Sequence, residues 1–169
     1  ILLSLPVQVS LGQKITEAKF DARILEKHKK SIHESYRKSA YFAEIHPLIE
    51  EIYSYQWDSL AEFNMNTITR FASLLAPKVQ LVVLSEILPD LESKSTEALI
   101  EICHAVKATK YISWAWGKGY LEPERFESES IELEFQDFHP EAYPQLWGEF
   151  LPYMSVIDAL YNVGIEGTK

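Results

Sequence analysis

Apolar positions recur along the chain at two different spacings, and the change of spacing divides it into strands and helices. Ile1 to Val9 is apolar and extended but broken by Pro6, which predicts an edge or terminal strand rather than a central one. From Asp21 the period lengthens. Leu25, His28, Ile32 and Tyr36 fall at three- and four-residue steps, one face of an amphipathic helix ending near Ala40. Ile45, Leu48, Ile49, Ile52 and Tyr53 predict a second helix. Leu60, Phe63, Thr67, Phe71 and Leu74 predict a third, stopped before Pro77. Val79 to Leu84 is a β-branched and apolar run, read as a buried strand. A helix carrying Ala98, Leu99, Ile102, Cys103 and Val106 follows, then a strand over Lys110 to Trp114. That order predicts a βαβ unit with parallel pairing. Gly117-Lys-Gly119 marks a turn, Glu122 to Glu127 a short helix, and Ile131 to Phe135 a strand. A last helix runs from Ser155 to Val163 and closes at Gly164. The expected fold class is α/β: a single domain over residues 1–169 with a mainly parallel or mixed small sheet, a βαβ unit near 79–114 and several amphipathic helices.

Composition narrows the class. The chain has 169 residues, 47% of them hydrophobic, a length at which roughly 70% of the unfolded surface is buried on folding. Sixteen Lys and Arg against 25 Asp and Glu leave a net charge of −9, which disfavours general nucleic-acid binding. A single cysteine, Cys103, excludes an intrachain disulfide framework and any multi-cysteine metal site. Purely apolar runs such as Leu81-Val-Val-Leu84 are far too short to cross a bilayer, so no membrane insertion and a cytoplasmic location are expected. The chain opens Ile1-Leu-Leu-Ser-Leu-Pro6 without an initiator Met or a basic n-region, which reads as a start lying further upstream rather than as a signal peptide. Charge is uneven: Lys14 to Lys38 carries eight bases against four acids, and Glu122 to Glu141 eight acids with Arg125 alone opposing them. These are either two solvated faces or, for the first, a basic helix able to hold a phosphate group.

Several residues carry candidate chemistry, each with a plainer structural reading beside it. Asp137-Phe-His-Pro140 follows the Ile131 strand; residues two apart in an extended segment share a side, so Asp137 and His139 can approach one another. A carboxylate beside an imidazole orients it and equips it as a general base. The plainer reading is a loop histidine bonded to backbone. His28 lies in the apolar stripe of its helix, either as a satisfied core histidine or lining a pocket. His33 stands about 140° further round the same helix, and His46 and His104 show no ligand spacing, so no metal site is expected. Ser155-Val-Ile-Asp158 fits a capping box, unless Asp158 faces a pocket as acid, base or amine-binding group. Gly117-Lys-Gly119 is an ordinary turn, or lets Lys118 approach a phosphate. Trp114 and Trp116 flank that turn and serve the core or stack on a sugar or base. Cys103 reads as a small buried residue, not a nucleophile.

Taken in order, Tyr111-Ile-Ser113, the glycine turn with Tyr120-Leu121, Phe126, Phe135-Gln-Asp-Phe-His-Pro140, Tyr143-Pro-Gln145, Phe150, Ser155-Val-Ile-Asp158 and Asn162-Val-Gly164 resemble the WbqC-like proteins. His28-Lys-Lys-Ser-Ile32, Tyr36-Arg-Lys-Ser-Ala-Tyr-Phe42, Ser85 and Leu3-Ser-Leu-Pro-Val7 match more loosely. Two departures stand out. The family's opening Gln-Pro-x-Tyr-Phe-Pro segment and its Asn-Arg motif have no counterpart, so the resemblance leads us to expect that the N-terminal part of the family fold is missing from this chain. Trp114-Ala-Trp116 replaces a Gly-Pro-Gly-like turn.

The resemblance implies a role in O-antigen or other surface-polysaccharide biosynthesis, as an N-acyl or aminoacyl transferase acting on a nucleotide-linked amino sugar. In that reading His139, Asp137 and Asp158 are the catalytic candidates. His28, Ser113, Trp114, Lys118, Tyr120, Tyr143, Gln145 and Asn162 are the substrate-binding candidates. The partners are a nucleotide-sugar and an acyl or aminoacyl donor, with no cofactor and no metal. The rival reading is a non-catalytic partner that binds a sugar or a carrier protein for another enzyme of the same process.

Overall fold

A computed structural model describes residues 2–169; Ile1, the first residue of the expected terminal strand, lies outside the described residues. The chain divides into two compact units. One comprises the residues up to Val79 together with Pro140–Lys169, and the other Gln80–His139.

In the first unit, Val7–Gln8 (β1) pairs antiparallel with Lys19–Phe20 (β2), Val7 facing Phe20. Helix α1 (Arg23–Tyr36) buries Leu25, His28 and Ile32, the stripe its period predicts. It stops at Tyr36 rather than near Ala40 because Ser39 takes the Tyr36 carbonyl twice, through its amide at 2.8 Å and its hydroxyl at 2.7 Å. Helix α2 (Phe42–Ser54) contributes the buried Ile45, Ile49 and Ile52. Helix α3 (Leu60–Leu75) starts where the Ser59 hydroxyl accepts from the Glu62 amide at 3.2 Å, and ends short of Pro77 as expected.

The second unit corrects one expectation. Residues 79–83 form no strand, and Leu84–Ile87 is a one-turn helix (α4). Val79, Leu81 and Val82 are about half exposed. A short apolar run fits strand, helix or loop by periodicity alone. The βαβ unit lies one element later. Helix α5 (Ser95–Ala105) precedes β3 (Lys110–Trp114), which leads through a 3-10 turn at Ala115–Gly119 and α6 (Pro123–Ser128) into β4 (Glu132–Gln136). The pairing of β3 with β4 is parallel, Lys110 opposite Glu132 and Trp114 opposite Gln136. One face of this pair carries Tyr111, Leu133 and Phe135 onto a core of Ile100, Cys103, Leu121, Phe126 and Ile131. The class is thus α/β with a small mixed set of strands, two antiparallel and two parallel.

The chain then returns to the first unit through residues 140–155 and α7 (Val156–Thr168). Leu160 and Tyr161 of α7 are wholly enclosed and join Leu25, Ile32, Ile45, Ile49, Ile52, Phe63 and Phe71 in one core. Full burial of an aliphatic side chain of this size contributes roughly 1.5–3 kcal/mol. Gly164 breaks the helical path with φ +73° and ψ −176°, at the position where the sequence places the stop.

Candidate functional site

The polar groups of the first unit gather around Asp158. It lies in the first turn of α7, after Ser155, whose hydroxyl accepts from the Ile157 amide at 3.4 Å. Ser155 therefore caps the helix as expected, but at the N2 amide rather than the N3 amide of a capping box. The Asp158 carboxylate turns to other partners. Tyr36 donates to Oδ1 at 2.8 Å, Tyr143 to Oδ2 at 2.8 Å, and the Gln145 amide to Oδ2 at 2.9 Å. Asp158 is 6% exposed. A buried carboxylate is tolerated here because each bond to the charge contributes roughly 1.5–3 kcal/mol and the helix N-terminus favours negative charge. Burial, and then the neighbouring carboxylate, push both the Tyr36 and the Tyr143 phenol above their ordinary range. Both stay protonated as donors at neutral pH.

Gln145 also ties its own loop, accepting from the Leu151 amide at 2.8 Å and donating to the Leu151 carbonyl at 3.0 Å. The Trp147 indole donates to the Ser35 carbonyl of α1 at 3.0 Å. Between this loop, α1 and the start of α7 lies a cavity of about 1080 Å³. Asp158, Tyr36, Gln145, Lys30, Ser31 and Ser35 form its polar wall, and Leu3, Ile32, Trp147, Met154 and Ile157 its apolar wall. Every lining residue belongs to the first unit.

Behind Tyr36 stands a second layer. Tyr161 stacks on Tyr36 with ring centres 4.6 Å apart, and its hydroxyl lies 2.9 Å from His46 Nδ1. His46 Nε2 is 3.2 Å from His33 Nδ1 and 3.3 Å from Glu50. Burial holds His46 below the ordinary imidazole value of 6.5. Its neutral form therefore suits the fold, and unfolding takes up a proton once the pH falls below 6.5. Stability should fall with pH in that window, by up to about 1.4 kcal/mol per pH unit, and be insensitive to His46 above it. Denaturant titrations of wild type and His46→Gln between pH 5 and 7.5 check this; equal slopes in the two proteins would exclude His46 as the source.

Other predicted site residues are placed as follows. His28 is buried, with Nε2 3.1 Å from the Ser4 carbonyl, so it ties the N-terminal segment to α1 and is absent from the cavity wall. The Asn162 amide donates to the Asp158 backbone carbonyl at 2.8 Å, within α7. In the second unit, His139 Nε2 and Asp137 Oδ1 approach to 3.1 Å, the contact that their spacing predicts, with side chains 75% and 89% exposed. Ser113 is buried and donates to the Trp114 carbonyl at 3.2 Å. A Cβ at Gly117 would overlap the Ser113 hydroxyl and press on Phe135, so that glycine serves close packing. Trp114, Trp116 and Tyr120 are exposed, and Lys118 Nζ sits 5.7 Å above the Phe135 ring. Cys103 is buried, which pushes its thiol up and agrees with a packing role. Among the described residues no three His, Cys, Asp or Glu form a metal-binding group, and no helix is long and apolar enough to cross a membrane.

Comparison with known proteins decides the family. The WbqC-like protein family matches residues 1–169, the whole chain. The chain belongs to the WbqC-like family. It is also 31% identical over 169 residues to an uncharacterized protein of Mycobacterium tuberculosis, covering 97% of this chain and 72% of that protein. No solved structure matches it.

Two of the stretches that carry the WbqC-like resemblance, Tyr143-Pro-Gln145 and Ser155-Val-Ile-Asp158, meet at the Asp158 carboxylate. Sequence reasoning assigned Tyr143, Gln145 and Asn162 to substrate; the structure shows all three bonded to Asp158 itself. Tyr36 and Trp147 were not singled out as site residues, and Lys30 was marked only as part of the basic segment Lys14 to Lys38. The available signal for Tyr36 was a hydroxyl-bearing residue at the end of an otherwise apolar stripe.

Proposed function

We propose that this WbqC-like protein transfers an acyl or aminoacyl group, for example glycine, onto a nucleotide-linked amino sugar during O-antigen or other surface-polysaccharide synthesis in the cytoplasm. The observation that supports a small-molecule substrate is the nine-tenths-buried Asp158 carboxylate at the wall of a cavity of about 1080 Å³, large enough for a sugar with part of its nucleotide. The polysaccharide setting is what family membership implies. In such a transfer the amine nitrogen attacks the acyl carbonyl carbon. The new C–N bond forms as the bond to the donor's leaving group breaks, and the proton released from nitrogen passes to a base. In this reading His139, oriented by Asp137 at 3.1 Å, is the base.

His139→Ala should abolish turnover with the circular-dichroism melt unchanged, whereas wild-type turnover in that variant would remove His139 from the mechanism. The substrate class is tested by thermal shift against nucleotide-sugars, coenzyme A thioesters and free amino acids. A ligand at 100 times its Kd stabilises by about 2.7 kcal/mol. A shift with a nucleotide-linked amino sugar supports the proposal.

A second reading, a non-catalytic partner that binds a sugar or carrier protein, is favoured by the exposure of Trp114, Trp116 and Tyr120 together with that of Asp137 and His139. It predicts no turnover with any donor and a stable complex on size exclusion with another protein of the same process.

A further inference from the structure

We infer that the cavity of the first unit selects its ligand by two opposite charges on one molecule: a phosphate-class anion held by Lys30 and a protonated amine held by Asp158. The inference rests on the amino-sugar reading above and names the charge pattern that reading leaves open.

Among the described residues three acidic or basic side chains line the cavity: Lys30, Glu34 and Asp158. Glu34 is already neutralised by Arg37, with Nε at 3.1 Å. The other two are not. Lys29, next to Lys30, is held by Glu26 at 3.0 Å and Glu50 at 3.7 Å, but among the described residues Lys30 has no carboxylate partner. Among the described residues the Asp158 carboxylate is bound by neutral donors alone, two phenols and an amide. A carboxylate offers about four acceptor positions, of which these donors fill three. A buried charge is ordinarily paired, and here the cavity is the direction from which a cation can arrive.

The two poles stand apart. Asp158 is fixed at the Tyr36 end of α1 by its bond to that hydroxyl, and Lys30 lies roughly 9 Å back along the helix axis at 1.5 Å per residue. The Ser31 and Ser35 side chains line the wall between them, and Ile32 and Trp147 supply the apolar surface. A sugar ring bearing an amine at one end and a phosphate at the other matches that order of charge, hydroxyl and apolar contact. An N-acylated sugar leaves Asp158 without a counter-charge, and an unphosphorylated one leaves Lys30 without one.

Isothermal titration of the full chain with 4-amino-4-deoxyglucose 1-phosphate, its N-acetylated form, glucose 1-phosphate, 4-amino-4-deoxyglucose and inorganic phosphate tests this. The amino-sugar phosphate should bind roughly 10- to 100-fold more tightly than each of the others, the worth of one charge-assisted contact. Lys30→Met should reduce it to the level of the unphosphorylated amino sugar while leaving the thermal melt unchanged. The Asp158 arm is carried by the ligand series on wild-type protein, because Asp158 variants also lose structure. Equal affinity for the amine and its N-acetylated form, or an unaltered Kd in Lys30→Met, overturns the inference. So does inorganic phosphate binding as tightly as the amino-sugar phosphate, or no binding by any of the five. Turnover or a thermal shift with a nucleotide-linked amino sugar in any of those cases leaves the transferase proposal standing.

Discussion

Asp158→Ala should destabilise the first unit by roughly 3 kcal/mol or more, lowering its melting temperature by about 10 °C. The substitution removes a charged acceptor from three donors at once, Tyr36 and Tyr143 at 2.8 Å and Gln145 at 2.9 Å. A buried donor left without a partner carries its full desolvation cost. Loss of the carboxylate also loosens the loop that Gln145 ties through Leu151. Tyr36→Phe and Tyr143→Phe should each cost about 1.5–2 kcal/mol alone and much less in the Asp158→Ala background, because they act through the same acceptor. Chemical denaturation of the single and double variants checks both parts. A melt for Asp158→Ala within 1–2 °C of wild type would show that the carboxylate does not hold this region together.

Gly164→Ala is the second change with a large expected effect, about 3–5 kcal/mol, from two separable causes. At φ +73° and ψ −176° the backbone is in a region open essentially to glycine alone, worth roughly 1–3 kcal/mol for any other residue. An added Cβ would also lie 2.6 Å from two carbons of the Tyr41 ring, an overlap of the kind that costs a further 1–3 kcal/mol. Tyr41 also donates its backbone amide to the Tyr161 carbonyl at 3.1 Å, so a displaced Tyr41 disturbs the helix carrying Asp158. In Tyr41→Ala/Gly164→Ala the steric part should vanish and the backbone part remain, leaving Gly164→Ala less costly in that background than in wild type. Equal costs in the two backgrounds would mean that the ring contact is irrelevant.

Helices are legible in this sequence because their signals are local. The stripe Leu25, His28, Ile32 and Tyr36 predicts α1, and a second stripe stopped before Pro77 predicts α3. The contact between Asp137 and His139 follows in the same way from extended geometry over two residues. Val79 to Leu84 shows where local signals fail. Its composition suits a strand, but a strand exists only if another segment pairs with it, and β3 pairs with β4 instead. Partner choice is a property of the whole unit.

The candidate site divides along the same line. Local pattern and resemblance together marked Tyr143, Gln145, Asp158 and Asn162, and three of these converge at one carboxylate: Tyr143 and Gln145 both donate to Asp158. Tyr36 reaches Asp158 across a separation of 122 residues, and Tyr161 reaches His46 across 115. By itself, then, the sequence determined the longer helices, the family and the acidic, single-cysteine character of the chain, since these depend on residues close in the chain or on composition alone. Only the tertiary structure decided that Asp158 is buried at a cavity among neutral donors, with Lys30 on the same wall and without a carboxylate partner among the described residues. Burial and charge pairing depend on which distant side chains arrive in the same place, and no local period encodes that.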